Sequence, residues 1–146
     1  MRFSTDIVIE RPVSDVYHFV RQPHNMKHWV QGFQAFRPRK GAPRRPGSLA
    51  VQVFKEPDGK TTEVQEEVLE IQPNESIRLR LTHRNMDSNI YYRFLDLGEH
   101  TKLVVEVSTR LKPRLFFLLT PFVKGPMRRQ QQQDLLRLKR YLEMTN

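Results

Sequence analysis

A chain of 146 residues has the length of one domain, and the lack of any cysteine excludes disulfides, thiolate nucleophiles and Cys-based zinc or iron–sulfur sites. Hydrophobic residues at 38% and aromatic residues at 10% are enough for a packed core rather than a disordered chain. The formal net charge of +9 admits an anionic partner, but the cations are spread over residues 37–45, 78–84 and 110–140 and no zinc-finger spacing, RNP pattern or helix-turn-helix accompanies them, so specific nucleic-acid binding is not expected.

The chain opens on alternation. Phe3, Thr5, Ile7 and Ile9 fall on one side of a strand over Phe3 to Glu10, and Arg11-Pro12 ends it. Val13, Val16, Tyr17 and Val20 have the spacing of a helix over Ser14 to Arg21, which Pro23 breaks, with a short helical turn from His24 to His28. Trp29, the only tryptophan, leads with Val30, Phe33 and Phe36 into a strand ending near Arg39; it reads first as a core anchor and second as a ligand platform. Lys40 to Gly47 is a loop, with Gly41, Pro43, Pro46 and Gly47 around Arg44-Arg45.

A run of hairpins follows. Strands are expected over Leu49 to Lys55, Thr61 to Ile71, Ser76 to His83, Ser88 to Leu97 and Thr101 to Leu111, with Asp58-Gly59 marking the tightest turn. The strand at Thr61 to Ile71 is Glu-rich on its wet face, and its inward parity is open. Ile77, Leu79 and Leu81, then Ile90, Tyr92 and Phe94, then Leu103, Val105 and Val107 form apolar sides. The longest apolar run, Leu115 to Leu119, is far shorter than the roughly 20 residues a bilayer span needs. No signal-peptide pattern is present, so the default expectation is a cytoplasmic protein.

The last element organises the rest. Pro126 suits a helix's first turn, and Met127 to Met144 is rich in helix formers. Met127, Leu135, Leu138 and Leu142 make one stripe, flanked by Leu136 and Tyr141, and Gln131 falls within it as a polar gap. The expected architecture is α+β in a single domain over 1–146: a curved antiparallel sheet of about six to seven strands wrapped around the long C-terminal helix, with two short helices after the first strand. A curved sheet and a straight helix leave a space between them where pockets form.

Three stretches carry a resemblance: residues 7–17 (Ile-Val-Ile-Glu-Arg-Pro-Val-Ser-Asp-Val-Tyr), 23–29 (Pro-His-Asn-Met-Lys-His-Trp) and 98–107 (Gly-Glu-His-Thr-Lys-Leu-Val-Val-Glu-Val). With the element order, they resemble the START-like, Bet v 1-like superfamily over essentially the whole chain, closest to the polyketide cyclase/dehydrase-type SRPBCC branch. The resemblance implies the helix-grip fold and a cavity for a hydrophobic or amphipathic small molecule: a lipid, quinone, sterol-like or polyketide-like compound. It supplies no catalytic residue, and a fold alone does not name a function.

Motif chemistry is sparse. There is no HExxH, GxSxG, P-loop or GxGxxG, and no cofactor or metal is expected; His24 and His28, four apart, read as exposed helix residues rather than ligands. His83 continues the Ile77–Leu81 side and Tyr92 puts a polar tip on an apolar one, so both are candidates to hydrogen-bond a ligand. The expected ligand-binding set is Trp29, Phe33, Leu81, His83, Tyr92, Phe94, Val105 and Val107 from one wall and Phe117, Met127 and Gln131 from the other. Three functions fit: a binding or transport protein; a cyclase or dehydratase, for which no carboxylate lies clearly on the inner face; and an interaction module using the basic surface. The apolar stretch from Leu115 to Phe122, beside Lys124, Arg128 and Arg129, suits transient contact with an anionic membrane. The oligomeric state is open.

Overall fold

Successive strands of the sheet pair antiparallel because turns and one longer loop, rather than crossover helices, join them. The computed structural model describes residues 1–112 and 120–145. The elements are β1 (Arg2–Ile9), α1 (Val13–Arg21), a 3-10 helix (Pro23–His28), β2 (Phe33–Lys40), β3 (Leu49–Lys55), β4 (Thr61–Gln72), β5 (Ser76–Thr82), β6 (Met86–Asp96), β7 (Thr101–Leu111) and α2 (Thr120–Met144). One seven-stranded sheet runs in the order β1-β7-β6-β5-β4-β3-β2. The hairpins thus run in sequence from β2 to β7, and β1 closes the far edge against β7.

The expected α+β architecture, with its curved sheet gripping a long helix, is what forms. Ile9, Ile77, Leu79, Leu103 and Val105 on the inner face, and Leu135 and Leu138 on α2, are all essentially inaccessible. Each such side chain contributes about 1.5–3 kcal/mol by leaving water. Helix α1 buries Val16, Tyr17 and Val20, and the Tyr17 ring meets Phe94 edge-on at 5.5 Å.

Helix α2 is fastened to the edge of the sheet as well as to its face. Arg128 Nε donates to the carbonyl of Ser4 at 3.2 Å, Gln132 Nε2 to that of Asp6 at 3.1 Å and Lys139 Nζ to that of Val8 at 2.8 Å. These three carbonyls, two residues apart, are on β1, the terminal strand of the sheet. An unpaired edge is a template for adding a strand, and here the helix's own polar side chains occupy it.

Several boundaries depart from expectation for local reasons. Trp29 and Val30 are not in a strand: both backbone N–H groups bond to Met26 O, and Gly32 then turns the chain at φ +76. A Cβ at Gly32 would lie 2.7 Å from Lys55 O, so β2 begins only at Phe33. β5 stops at Thr82 because His83 N donates to Met86 O at 2.8 Å, closing the turn into β6, which starts two residues earlier than expected. In β3, Ala50, Gln52 and Phe54 share the side of the inward Glu66, with Ala50 opposite Glu66. In β4 the register shifts between Val68 and Glu70, which lets Ile71 join the core after the opposite parity of Val68. Helix α2 starts at Thr120, so Pro126 lies inside it rather than opening it; proline keeps a helical φ and forfeits one backbone bond there.

Candidate functional site

Among the described residues two chambers lie between sheet and helix. The outer one, about 570 Å³, is open and mostly apolar, with Phe3, Phe54, Val64, Ile90, Val107 and Met127 among its walls. The inner one, about 140 Å³, lies among Trp29, Arg44, Gln52, Tyr92, Val105 and Asp134. Gln52, Phe54, Leu81, Ile90, Gln131 and Asp134 border both, so the two form one recess with a narrow polar end. A larger hollow of about 760 Å³ lies on the opposite face of the sheet around Arg78, Tyr91 and Glu106. That hollow is an open trough of solvated side chains: the Arg78 guanidinium lies 3.7 Å over the Tyr91 ring, and Arg93 pairs with Glu106 at 3.0 Å.

The polar end is built from four elements. Strand alternation turns Glu66 inward between Val64 and Val68, and it is 2% exposed. Arg44, from the loop between β2 and β3, adopts φ +57 and is 4% exposed. Its Nε donates to Glu66 Oε2 at 3.1 Å and its Nη2 lies 3.0 Å from Oε1, a two-pronged pair. Gln52 Nε2 donates to the same Oε1 at 2.6 Å. Arg44 Nη1 also reaches Val20 O at 3.4 Å, so one side chain ties the loop to α1 and β4. Buried ions survive only when paired and hydrogen-bonded in this way.

Asp134 enters from α2. Its Oδ1 accepts from the backbone N–H of Gln31 at 3.2 Å, from Gln130 Nε2 at 2.9 Å and from Arg137 Nη2. Among the described residues no group donates to Oδ2. Burial raises the pKa of this carboxyl above its ordinary value, against the opposing pull of the Gln31 N–H and the Arg137 charge. Arg137 Nε donates to Trp29 O at 3.1 Å, so the same pair of helix residues holds the Trp29 segment in place.

Three donors at this end have no partner among the described residues. Trp29 is 6% exposed and its buried indole Nε1–H is unsatisfied. The Tyr92 hydroxyl bonds to nothing, and burial pushes its pKa up to about 12, with the Arg44 charge acting the other way and Glu66 and Asp134 adding to the rise. It is therefore a neutral phenol at ordinary pH. Gln131 receives the Thr5 hydroxyl on Oε1 at 3.0 Å, which leaves its amide N–H groups free.

A family model described as polyketide cyclase / dehydrase and lipid transport matches residues 1–143. The chain belongs to this family. Solved structures with the same fold include TTHA0849 from Thermus thermophilus, with a TM-score of 0.78 at 20% identity over 98% of this chain and 97% of that one. Ara h 8.0201 gives 0.78 at 14% identity, covering 99% of each chain. StfQ, a di-domain ARO/CYC from the steffimycin biosynthetic pathway, gives 0.80 at 13% identity; 97% of this chain matches 50% of that one. No match is found among curated proteins. At these identities the structural likeness establishes the fold, which the family shares. No described helix is long and apolar enough to cross a membrane.

Within this family member the residues singled out from sequence fall in different places. Trp29, Leu81, Tyr92, Val105 and Gln131 border the inner chamber, and His83, Val107 and Met127 border the outer one. His83 Nδ1 accepts from the Asn85 N–H at 3.1 Å, so one ring nitrogen is already engaged in the turn. Phe94 borders neither chamber; it is core, packed on Tyr17. Phe33 also stands back, its ring edge-on to Phe54 at 6.2 Å. Phe117 and the run from Leu115 to Leu119 lie outside the described residues, while Phe122 is 75% exposed. His28 stacks on Tyr141 at 4.3 Å, which fixes it as a packing residue.

Sequence reasoning missed Arg44, Gln52, Glu66 and Asp134, and two of these left a trace. Asp134 is seven residues after Met127 and three after Gln131, on the buried side of the helix. Glu66 shares the parity of Val64 and Val68, so it was never on the wet face with Glu63 and Glu67.

Proposed function

We propose that this protein binds an amphipathic small molecule, with its ring system or chain in the outer chamber and one oxygen-bearing end in the inner chamber. The observation that carries the reading is an apolar recess whose narrow end is bordered by the Tyr92 hydroxyl and the Gln131 amide, neither of which has an acceptor among the described residues. An unpaired buried donor is costly, and a ligand oxygen removes that cost. The outer chamber of about 570 Å³ lies within the roughly 300–1,000 Å³ usual for small-molecule sites. Its walls supply affinity at about 25 cal/mol per Å² of apolar surface covered. The lipid and polyketide chemistry in the family's description fits such a ligand class.

The inner end supplies orientation. Tyr92 and Gln131 offer O–H and N–H groups, so they favour a carbonyl or hydroxyl oxygen over an ammonium group. Trp29 is the only tryptophan and borders the inner chamber, so its emission reports occupancy directly. A bicyclic aromatic ketone is expected to quench Trp29 saturably, and a Leu81→Phe variant, which narrows the recess and keeps Trp29 the only indole, is expected to weaken that saturation. Equal quenching in both proteins would refute the site.

A further inference from the structure

We propose that residues 41–47 form a gate: a strap pinned shut by Arg44, whose release opens the inner chamber to solvent at the end away from the outer chamber. The gate governs access, so it does not depend on what the outer chamber binds.

The strap joins β2 to β3. Gly41, Ala42, Pro43, Arg45, Pro46 and Gly47 are all exposed, and Arg44 alone is buried, at 4%. Arg44 also borders the inner chamber, so at this point the wall between chamber and water is one residue thick. Its guanidinium fills the gap where three elements meet. Nε and Nη2 reach Glu66 on β4 at 3.1 and 3.0 Å, Nη1 donates to Val20 O on α1 at 3.4 Å, and Nη2 lies 3.4 Å from the Met26 sulfur in the 3-10 helix.

That side chain is the strap's main fastening. Among the described residues the backbone of 41–46 hydrogen-bonds only to Ser48, at the foot of β3: Arg45 O accepts the Ser48 N–H at 2.9 Å, and the Arg45 N–H donates to Ser48 Oγ at 3.3 Å. The Gly47 N–H donates to Val68 O at 2.8 Å, which fixes the strap's base against β4. Pro43 and Pro46 set φ on either side of Arg44-Arg45, and outside them stand Gly41 and Gly47 at φ +77 and +83. A stiff centre between two permissive ends moves as one piece. Arg44 itself holds φ +57, a conformation that persists in a non-glycine residue only where contacts outweigh its strain. The closed strap is therefore strained at the residue that closes it.

Lifting the strap differs from deleting Arg44. Water entering behind the guanidinium solvates Glu66, so neither charge is left buried and unpaired. The opening lies beside the Leu49 end of β3, whereas Glu56, beyond the other end of that strand, borders the outer chamber. A guest seated in the outer chamber leaves this route clear, and water or a small solute exchanges with the closed end independently of it.

The chain has no cysteine, so one introduced thiol reports one position. Met26→Cys places it beneath the Arg44 guanidinium, and Leu103→Cys, at a fully inaccessible core position, is the reference. Labelling by a dithiobis-nitrobenzoate reagent is followed in buffer and in urea below the unfolding transition, and each rate is compared with that variant's own global unfolding. Met26→Cys is expected to react about a hundredfold faster than its global unfolding allows, with a shallower urea dependence, because the opening is local. Leu103→Cys is expected to follow global unfolding in both respects. Hydrogen exchange of the Arg44 Nε–H, observed by NMR in the unaltered protein, is the second measurement and is expected to be less protected than the Leu103 amide once intrinsic rates are allowed for. Labelling of Met26→Cys only through global unfolding, or an Arg44 Nε–H as protected as the Leu103 amide, makes the strap a fixed wall and overturns the gate.

Discussion

Breaking the Arg44–Glu66 pair should destabilise the fold far more than removing it whole. In Arg44→Met the volume is nearly kept, but Glu66, 2% exposed, loses both guanidinium bonds and retains only the 2.6 Å bond from Gln52. Stranding a buried charge in this way costs about 3–5 kcal/mol. For a chain of this size, about 1 kcal/mol corresponds to roughly 3–4 °C, so the midpoint should fall by about 10–20 °C. The double variant Arg44→Met/Glu66→Leu removes the stranded charge and leaves the Gln52 amide without its acceptor and the Val20 carbonyl without its guanidinium donor, a cost of about 1–3 kcal/mol. The double should therefore be more stable than the single. The assay is urea unfolding of wild type, both singles and the double, followed by Trp29 emission and circular dichroism and compared at matched m-values. Additive single effects, or a loss below about 1 kcal/mol in Arg44→Met, would refute the view that this pair is a desolvated, mutually dependent unit.

Two further outcomes follow from local geometry. Burial raises the folded-state pKa of Asp134 above its ordinary 3.8, so the folded protein binds that proton more readily than the unfolded chain does. Its contribution to stability is fully present below the unfolded pKa and is lost as pH rises through the folded one. Asp134→Asn lacks this loss, so its melting temperature relative to wild type should climb with pH across the acid range and then level off; a constant difference from about pH 3 to about pH 8 would remove the claim. Gly32→Ala should cost about 1–3 kcal/mol in thermal unfolding, because φ is +76 and the new Cβ would meet Lys55 O at 2.7 Å; a neutral substitution would show that the β2–β3 edge yields more easily than this geometry implies.

The parts of the fold that were legible in sequence are those governed by period. Alternation located the strands, and i, i+3, i+4 spacing found α1 and the stripe Leu135, Leu138, Leu142. The site is less legible because its polar groups violate the pattern that reveals the core. Glu66 resembles its exposed neighbours Glu63 and Glu67 in type, and only its shared parity with Val64 and Val68 marks its side. Arg44 depends on one loop residue at positive φ, which no periodicity encodes. Tyr92 was recognisable as a polar tip on an apolar side and Gln131 as a polar gap in the helix stripe, but that their hydrogen-bonding groups and the Trp29 indole N–H go unpartnered among the described residues is a property of the assembled fold alone.

The three side chains that clasp β1 also determine how the recess can widen. Arg128, Gln132 and Lys139 hold the middle and end of α2 to one margin of the sheet, and Asp134 with Arg137 holds it to the Trp29 segment. The helix is thus a roof nailed along two eaves over the inner chamber. Among the described residues the fastenings to β1 begin at Arg128, and Pro126 and Met127, just before it, border the outer chamber. The width of the inner chamber is thus set by five side chains of one helix, so a change at any of them would be felt by a guest it never touches.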